Sequence, residues 1–253
     1  MSLHEVTGVI LNRRDVREDS RLYVVFSHER GKLEVFGRGI KKAKAKLGGH
    51  LEPGAMVKLT LAQGKTGETI TAVERLHYPA KIMQSLDKLA TLGFVLSLVD
   101  GVTKPEVREI TLATFLQETI ERLENFQADQ LKLSRFRMWF TWRIFSLIGL
   151  GPELELCVHC RKALVEGNLK FSSLLGGWLG LECWRLDDQA LVVDMPTRDF
   201  IRALNRNTWD DLLAYEVSLK TEQAAAQITT AELHHVLEKK LPAEKFLEFV
   251  RNC

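Results

Sequence analysis

Cysteine is scarce in this 253-residue chain, with four copies unevenly placed. Two stand together as Cys157-Val-His-Cys160, Cys183 follows after 22 intervening residues, and Cys253 has no evident mate. So few thiols in so long a chain exclude a disulfide framework and point to a reducing compartment with a metal or relic metal site. Long apolar runs are missing too, the longest, Leu89 to Val99, being too short to cross a bilayer. The N-terminus, MSLHEVTGVI, has neither the charged segment nor the apolar core of a secretory signal. A cytoplasmic protein without a membrane partner is expected.

Nucleotide signatures are also absent. Gly64-Lys65-Thr66 looks like the end of a phosphate loop, but that motif needs a glycine five positions before Gly64, where Leu59 stands. Gly37-Arg-Gly39 opens like a dinucleotide fingerprint, but Lys42 occupies its third glycine position. No bound nucleotide and no nucleotide hydrolysis are expected. Internal repeats and low-complexity segments are missing as well.

A formal charge of +2 names no partner, but its distribution is uneven. Residues 1–80 hold 14 Lys/Arg against 9 Asp/Glu, an excess of 5, so the remainder is slightly acidic. Within Phe36 to Leu51 stand Arg38, Lys41, Lys42, Lys44 and Lys46 with no acidic residue among them. Such a run reads either as a solvated surface loop or as a site whose mutual repulsion is relieved by a polyanion. Glycines 37, 39, 48 and 49 bracket it and favour a loop over a helix face.

Five short strands are predicted in residues 4–76. They centre on Val6 to Leu11, Leu22 to Phe26, Lys32 to Phe36, Met56 to Leu61 and Thr69 to Val73. With a long connection after the third, this pattern fits a small, partly open barrel of the OB type. Such barrels bind single strands with a basic groove and stacking rings. Arg13, Arg14, Arg17 and Arg21 are expected in the first connection; Tyr23, Phe26 and Phe36 serve either as core or as stacking faces.

From Tyr78-Pro79 the period becomes helical. One helix carries Ile82 to Val99, a second follows Pro105 near its first turn, and a third, Leu131 to Gly149, is apolar nearly all round. Arg135, Arg137 and Arg143 interrupt the third, to snorkel, to pair with carboxylates or to line a groove for an acidic peptide. Thr230 is expected to cap a final helix that Pro242 ends. Cys157 and Cys160 have the spacing of half a tetrahedral zinc site, and Cys183 supplies a third thiolate. Gly180 stands where the fourth belongs; Cys253, His234, His235 or a water are the alternatives, and His159 points away from its neighbours' metal.

Three blocks resemble the bacterial DNA repair and recombination mediator RecO family. They are Gly8-Val-Ile-Leu11 with Arg13, Arg14 and Glu18-Asp-Ser-Arg-Leu22; Gly37 to Lys42 with Lys46 to Pro53; and Ser134 to Pro152 leading to Cys157, Cys160, Gly176-Gly177 and Cys183. The resemblance implies an α+β multidomain protein. Residues 1–78 would be a DNA-binding OB-fold, 79–152 a helical domain, 153–195 a zinc-ribbon-like insertion with an incomplete ligand set, and 196–253 C-terminal helices packing on the helical domain.

It further implies a bacterial, nucleoid-associated protein that binds single- and double-stranded DNA and anneals complementary strands without ATP. Its implied partners are RecR, the acidic C-terminal tail of single-strand-binding protein (SSB) and, indirectly, the RecA recombinase. By family position DNA contact passes to Arg38, Lys41, Lys42, Lys44 and Lys46, and to Arg13 and Arg14. The metal does not carry over, because of Gly180. A zinc-dependent nuclease or deaminase is disfavoured, since the cysteine site has no His-x-Glu partner beside it. A non-catalytic interaction scaffold with a purely structural barrel is the alternative to the mediator.

Overall fold

Period-two apolar patterning can close on itself only if strands bend, and here the bends are bulges. The computed structural model describes residues 3–40, 48–64, 67–164, 167 and 169–251. The chain begins β1 (Leu3–Arg17), β2 (Ser20–Ser27), β3 (Gly31–Gly37), β4 (Met56–Gly64) and β5 (Gly67–His77). Helices α1 (Leu86–Val102), α2 (Ile110–Asn125) and α3 (Gln130–Leu147) follow. Then come β6 (Leu169–Ser172), β7 (Gly177–Leu179), β8 (Leu191–Val193), α4 (Met195–Arg206), α5 (Trp209–Leu213), α6 (Leu219–Leu237) and α7 (Pro242–Arg251). Two compact units result, Met1–Gln127 with Leu241–Cys253, and Ala128–Lys240.

In the first unit the strands form a closed barrel of order β1-β2-β3-β5-β4, an OB-fold. The expected partial opening is absent: β1 pairs antiparallel with β4 along Leu3 to Val9, and β3 pairs parallel with β5 at Val35↔Glu68 and Phe36↔Thr69. Register shifts at Leu11 in β1 and at Thr71 in β5, opposite Thr60/Leu61, supply the curvature closure needs. Val6, Ile10, Tyr23, Val25, Val35, Val57, Leu59 and Leu61 fill the interior. Arg13, Arg14, Arg17 and Arg21 are not in a loop, because β1 runs on to Arg17 and β2 starts at Ser20.

Helix α1 is capped by Ser85, which accepts from the Lys88 N–H, and it is buried on most of its circumference. Covering so much apolar surface takes more than one neighbour, and α7 packs on it from the far end of the chain. The helices of 79–152 are thus shared between the two units, and α7 leaves the group 196–253 for the first. Helix α2 starts at Ile110, later than expected, because Pro105 pairs with Lys32 instead. That segment is stitched to the β2–β3 hairpin. The Glu106 N–H donates to the Lys32 carbonyl at 2.9 Å, Arg30 bonds Glu106 at 2.9 Å, and Lys32 Nζ reaches the Asp100 carbonyl at 2.6 Å.

The second unit is built on α3, whose N-terminus Asp129 caps by accepting from the Lys132 N–H. Its aromatic positions pack edge to face: Phe136 against Trp209 with centroids 4.9 Å apart, and Trp142 against Phe171 at 6.0 Å. A three-stranded sheet of order β7-β6-β8 carries the cysteine segment. Helix α6 begins at Leu219 under a Ser218 cap, so Thr230 lies in its interior, donating to the Ala226 carbonyl. Pro242 opens α7, where its missing N–H costs nothing, and does not close the helix before it.

Two glycines have opposite roles. Gly31 has φ +69°, and a Cβ there would lie 1.8 Å from the Val107 carbonyl oxygen; at Gly93, inside α1, a Cβ would meet nothing within 4 Å. Gly31→Ala is expected to cost about 2–4 kcal/mol, whereas Gly93→Ala should stabilise by about 0.5–1 kcal/mol. Midpoints of urea unfolding check both; a neutral Gly31→Ala would remove the hairpin contact from the fold's requirements.

Candidate nucleic-acid interface and metal centre

Cross-strand partners point to the same face of a sheet, so register decides which cations share a surface. Arg13 pairs with Tyr23, which pairs with Val35, and that row faces the barrel interior. Arg14 pairs with Leu22 and Leu22 with Phe36, a row on the outer face. Adjacent in sequence, the two arginines therefore leave opposite faces of β1. Arg21, opposite Gly37, brings the start of the basic connection to this same end of the barrel.

The connection is pinned on both sides of its lysines. Ile40 and Leu51 are buried in the barrel core, and Gly37 allows this, since a Cβ there would sit 2.9 Å from Ile40 Cδ1. Arg38 is exposed, with its guanidinium near Gly64 at the β4–β5 turn, and has no ion pair among the described residues. Lys41, Lys42, Lys44 and Lys46 lie outside the described residues. On the return, Glu52 pairs with Arg13, both partly exposed. Arg14 reaches Glu34 at 3.3 Å and Arg21 reaches Asp15 at 2.8 Å.

Of the three candidate stacking rings, Tyr23 and Phe26 are buried core residues, and Phe36 alone is half-buried on the outer face. Sequence reading passed over Arg75, which stands beside Glu74 in β5 and belongs to no cationic run. Its guanidinium lies 5.1 Å from the Tyr78 ring centroid and donates to the Gly49 carbonyl at 3.2 Å. It therefore adds a cation beside the returning limb. Cation–π contacts of this kind leave the guanidinium edge open to further acceptors.

In the second unit the sulfurs of Cys157, Cys160 and Cys183 lie within 4.8 Å of one another. A tight turn presents the first two: the Cys157 N–H donates to the Lys162 carbonyl, the Arg161 N–H to the Cys157 carbonyl, and Arg161 takes φ +59°. Cys183 is placed by a 3-10 turn over Leu181–Leu186. Burial raises the Cys157 thiol, but the backbone N–H groups of Cys160, Gly180 and His159 outweigh it and bring it to about 7. Burial and the neighbouring sulfurs push Cys183 up to about 11.

Three sulfurs drawn to one point, one of them stabilised as thiolate, form a donor set a zinc ion fits. Neither His234 nor His235 joins the cluster among the described residues, and Cys253 lies outside them. Beside the sulfurs is a cavity of 270 Å³ lined also by Gly180 and Leu181. The chain does contain one His-x-Glu, at His50 and Glu52, but it belongs to the barrel, where Glu52 is occupied by Arg13.

The arginines of α3 are structural. Arg135 donates to the Leu212 and Tyr215 carbonyls at 2.6 and 2.8 Å and to Glu222, a carboxylate 4% exposed. Its guanidinium also lies over Phe200 at 5.4 Å. Arg143 donates to the Asn205 carbonyl at 2.9 Å, and Arg137 is buried.

Residues 1–79 match the family model described as recombination protein O N terminal, and residues 83–245 match recombination protein O C terminal. Among curated proteins the chain is similar to the DNA repair protein RecO of Moorella thermoacetica, 24% identical over 97% of this chain and 90% of that protein. It is also similar to DNA repair protein RecO of Symbiobacterium thermophilum, 24% identical over 100% of both. The DNA repair protein RecO of Pelotomaculum thermopropionicum gives 24% over 98% of this chain and 94% of the relative.

Removing the Arg135 guanidinium strands a buried carboxylate and two carbonyls. Arg135→Ala is expected to destabilise by about 3–5 kcal/mol, against about 1 kcal/mol for Arg143→Ala, which loses one neutral acceptor. Equal urea midpoints for the two variants would overturn the assignment of Arg135 as the buried anchor.

Proposed function

The chain belongs to the recombination protein O family and has a role in DNA repair and recombination, and from that premise we propose a non-catalytic strand-annealing mediator. It binds single- and double-stranded DNA, pairs complementary strands without ATP, and helps load RecA onto strands coated by SSB. RecR and the acidic SSB tail are its protein partners in this reading, the tail docking on the helices. The observation that supports it best is the cation-rich connection of an OB barrel, seated by Ile40 and Leu51 in the core.

Two phosphate backbones repel each other, and base pairing cannot begin until that repulsion is screened. Arg38 and the lysines at 41, 42, 44 and 46 supply the screening charge. Arg13 and Arg14 exchange their carboxylate partners for phosphates, and base pairing selects the partner strand. No residue takes part in a covalent step. Those same carboxylate pairs favour a second reading, a protein-interaction scaffold whose barrel is only structural. A gel shift with a short oligonucleotide separates the two, because the scaffold leaves DNA unretarded.

The zinc ligands in this proposal are Cys157, Cys160 and Cys183, with the metal cross-linking the knuckle to the 3-10 turn. In a tetrahedral thiolate shell with Zn–S near 2.3 Å, sulfurs stand about 3.8 Å apart, so a small contraction of the cluster suffices. At Gly180 a Cβ would meet nothing nearer than Leu164 Cδ2 at 3.9 Å, leaving room for a fourth thiol.

Five loop cations each releasing a counterion from single-stranded DNA give a log–log salt slope of about −3.5. Replacing Lys41, Lys42, Lys44 and Lys46 with alanine should make it shallower by about 2.8, uniformly across oligonucleotide sequences, and should slow annealing of complementary oligonucleotides. An unchanged slope takes the loop out of the interface. For the metal, cobalt titration should give thiolate charge-transfer absorption in the native chain, and Gly180→Cys should tighten cobalt and zinc binding by completing the shell. Absorption absent from both proteins would remove the metal.

A further inference from the structure

In the second unit, Glu232 projects from the later turns of α6 and is only 3% exposed. Its Oε2 has no hydrogen-bond partner among the described residues. Burial raises its pKa, opposed by a hydrogen bond with Ser173 and by the charge of His235. A carboxyl oxygen held inside protein without a donor is costly, so the position favours whatever brings one.

The same residue lines a cavity of 460 Å³ between the loop after α3, the turn joining β6 to β7, and α6. Two helix ends border it: α3 stops at Leu147, two residues before the lining begins, and α6 stops at Leu237, just after His235 and Val236. Helix C-termini carry partial negative charge and attract cations. At the mouth are three leucines that a monomer gains nothing by exposing, Leu150 (50% exposed), Leu174 (70%) and Leu175 (38%).

We propose that this cavity receives an arginine side chain of a partner protein, the Glu232 carboxyl turning into it so that Oε2 accepts from the guanidinium, and Leu150, Leu174 and Leu175 covering the apolar residue beside it. Arginine suits the place better than lysine, being less strongly hydrated and carrying planar N–H donors that match a carboxylate edge. The buried Glu232 carboxyl sets the site apart from the SSB tail surface proposed above, because an acidic peptide would have to face it, with His235 as the cationic neighbour in the same lining. The inference does not rest on DNA binding and stands or falls separately.

The test uses the full chain and an acetylated, amidated Leu-Arg-Leu peptide, with the same peptide carrying neutral citrulline as control. Calorimetry should show binding of the arginine peptide, weakened at least about tenfold by citrulline or by Glu232→Gln, since one charge-assisted bond is lost in each case. Leu174→Ser changes only an exposed residue, so its fold is retained; it should weaken binding severalfold. Equal affinity for the two peptides overturns the proposal, as does Glu232→Gln binding like the native chain. No binding at millimolar peptide, the result expected if solvent alone satisfies Glu232, also overturns it. So does displacement of the arginine peptide by an acidic tail peptide.

Discussion

Two buried aliphatic side chains, Ile40 and Leu51, hold the chain on either side of its densest positive charge. Like charges 4–8 Å apart in water repel by about 0.5–1 kcal/mol per pair, whereas burying an isoleucine or leucine side chain contributes about 1.5–3 kcal/mol. Burial of the two anchors therefore works against the repulsion that the sequence gathers between them. Closure of the barrel serves the same end. The short parallel pairing of β3 with β5 fixes the end of β3, from which the connection departs. Gly37 then lets Ile40 tuck against Tyr23.

Much of this was legible in the sequence because barrel strands bury alternate residues. The five strands predicted from Val6, Leu22, Lys32, Met56 and Thr69 onward all exist, each somewhat longer than its apolar centre. Helix α3 announced itself by being apolar on every side, and the burial of Phe136, Trp139, Phe140, Trp142 and Phe145 follows from that. The cysteine cluster was legible too. A Cys-x2-Cys knuckle has one local geometry, and Cys183 reaches it because the chain returns after β6 and β7.

What escaped the sequence depended on partners far along the chain. Arg13 and Arg14 looked equivalent until register separated them, Arg13 with the inner row of Tyr23 and Arg14 with the outer row of Phe36. Pro105 has the look of a first-turn proline, but it is claimed by Lys32, and Arg30 and Lys32 tie the segment around it to the hairpin. Pro242 ends nothing because the residues after it, among them Leu247 and Val250, have buried positions to fill and α1 to cover. Arg135 gives no hint in sequence that its acceptors lie in α6 and in the segment just before it.

The annealing activity proposed above would require the protein to hold a strand and also let it go, and the ion pairs of the barrel bear on both. Arg13 and Arg14 sit in pairs that water still reaches, Arg14 with Glu34 more than half exposed on both sides. Exposed pairs of this kind contribute about 0–1 kcal/mol, so exchanging the carboxylate for a phosphate costs little and reversing the exchange costs little too. The buried pair of Arg135 with Glu222 is the opposite case, since removing either member leaves an uncompensated charge in the interior. Exposure, more than charge, therefore divides the arginines of this chain into those free to exchange partners with a polyanion and those committed to the fold. In the proposed mediator, that division would give DNA to the cations at the connection's end of the barrel, where Arg38 has no carboxylate among the described residues to leave behind.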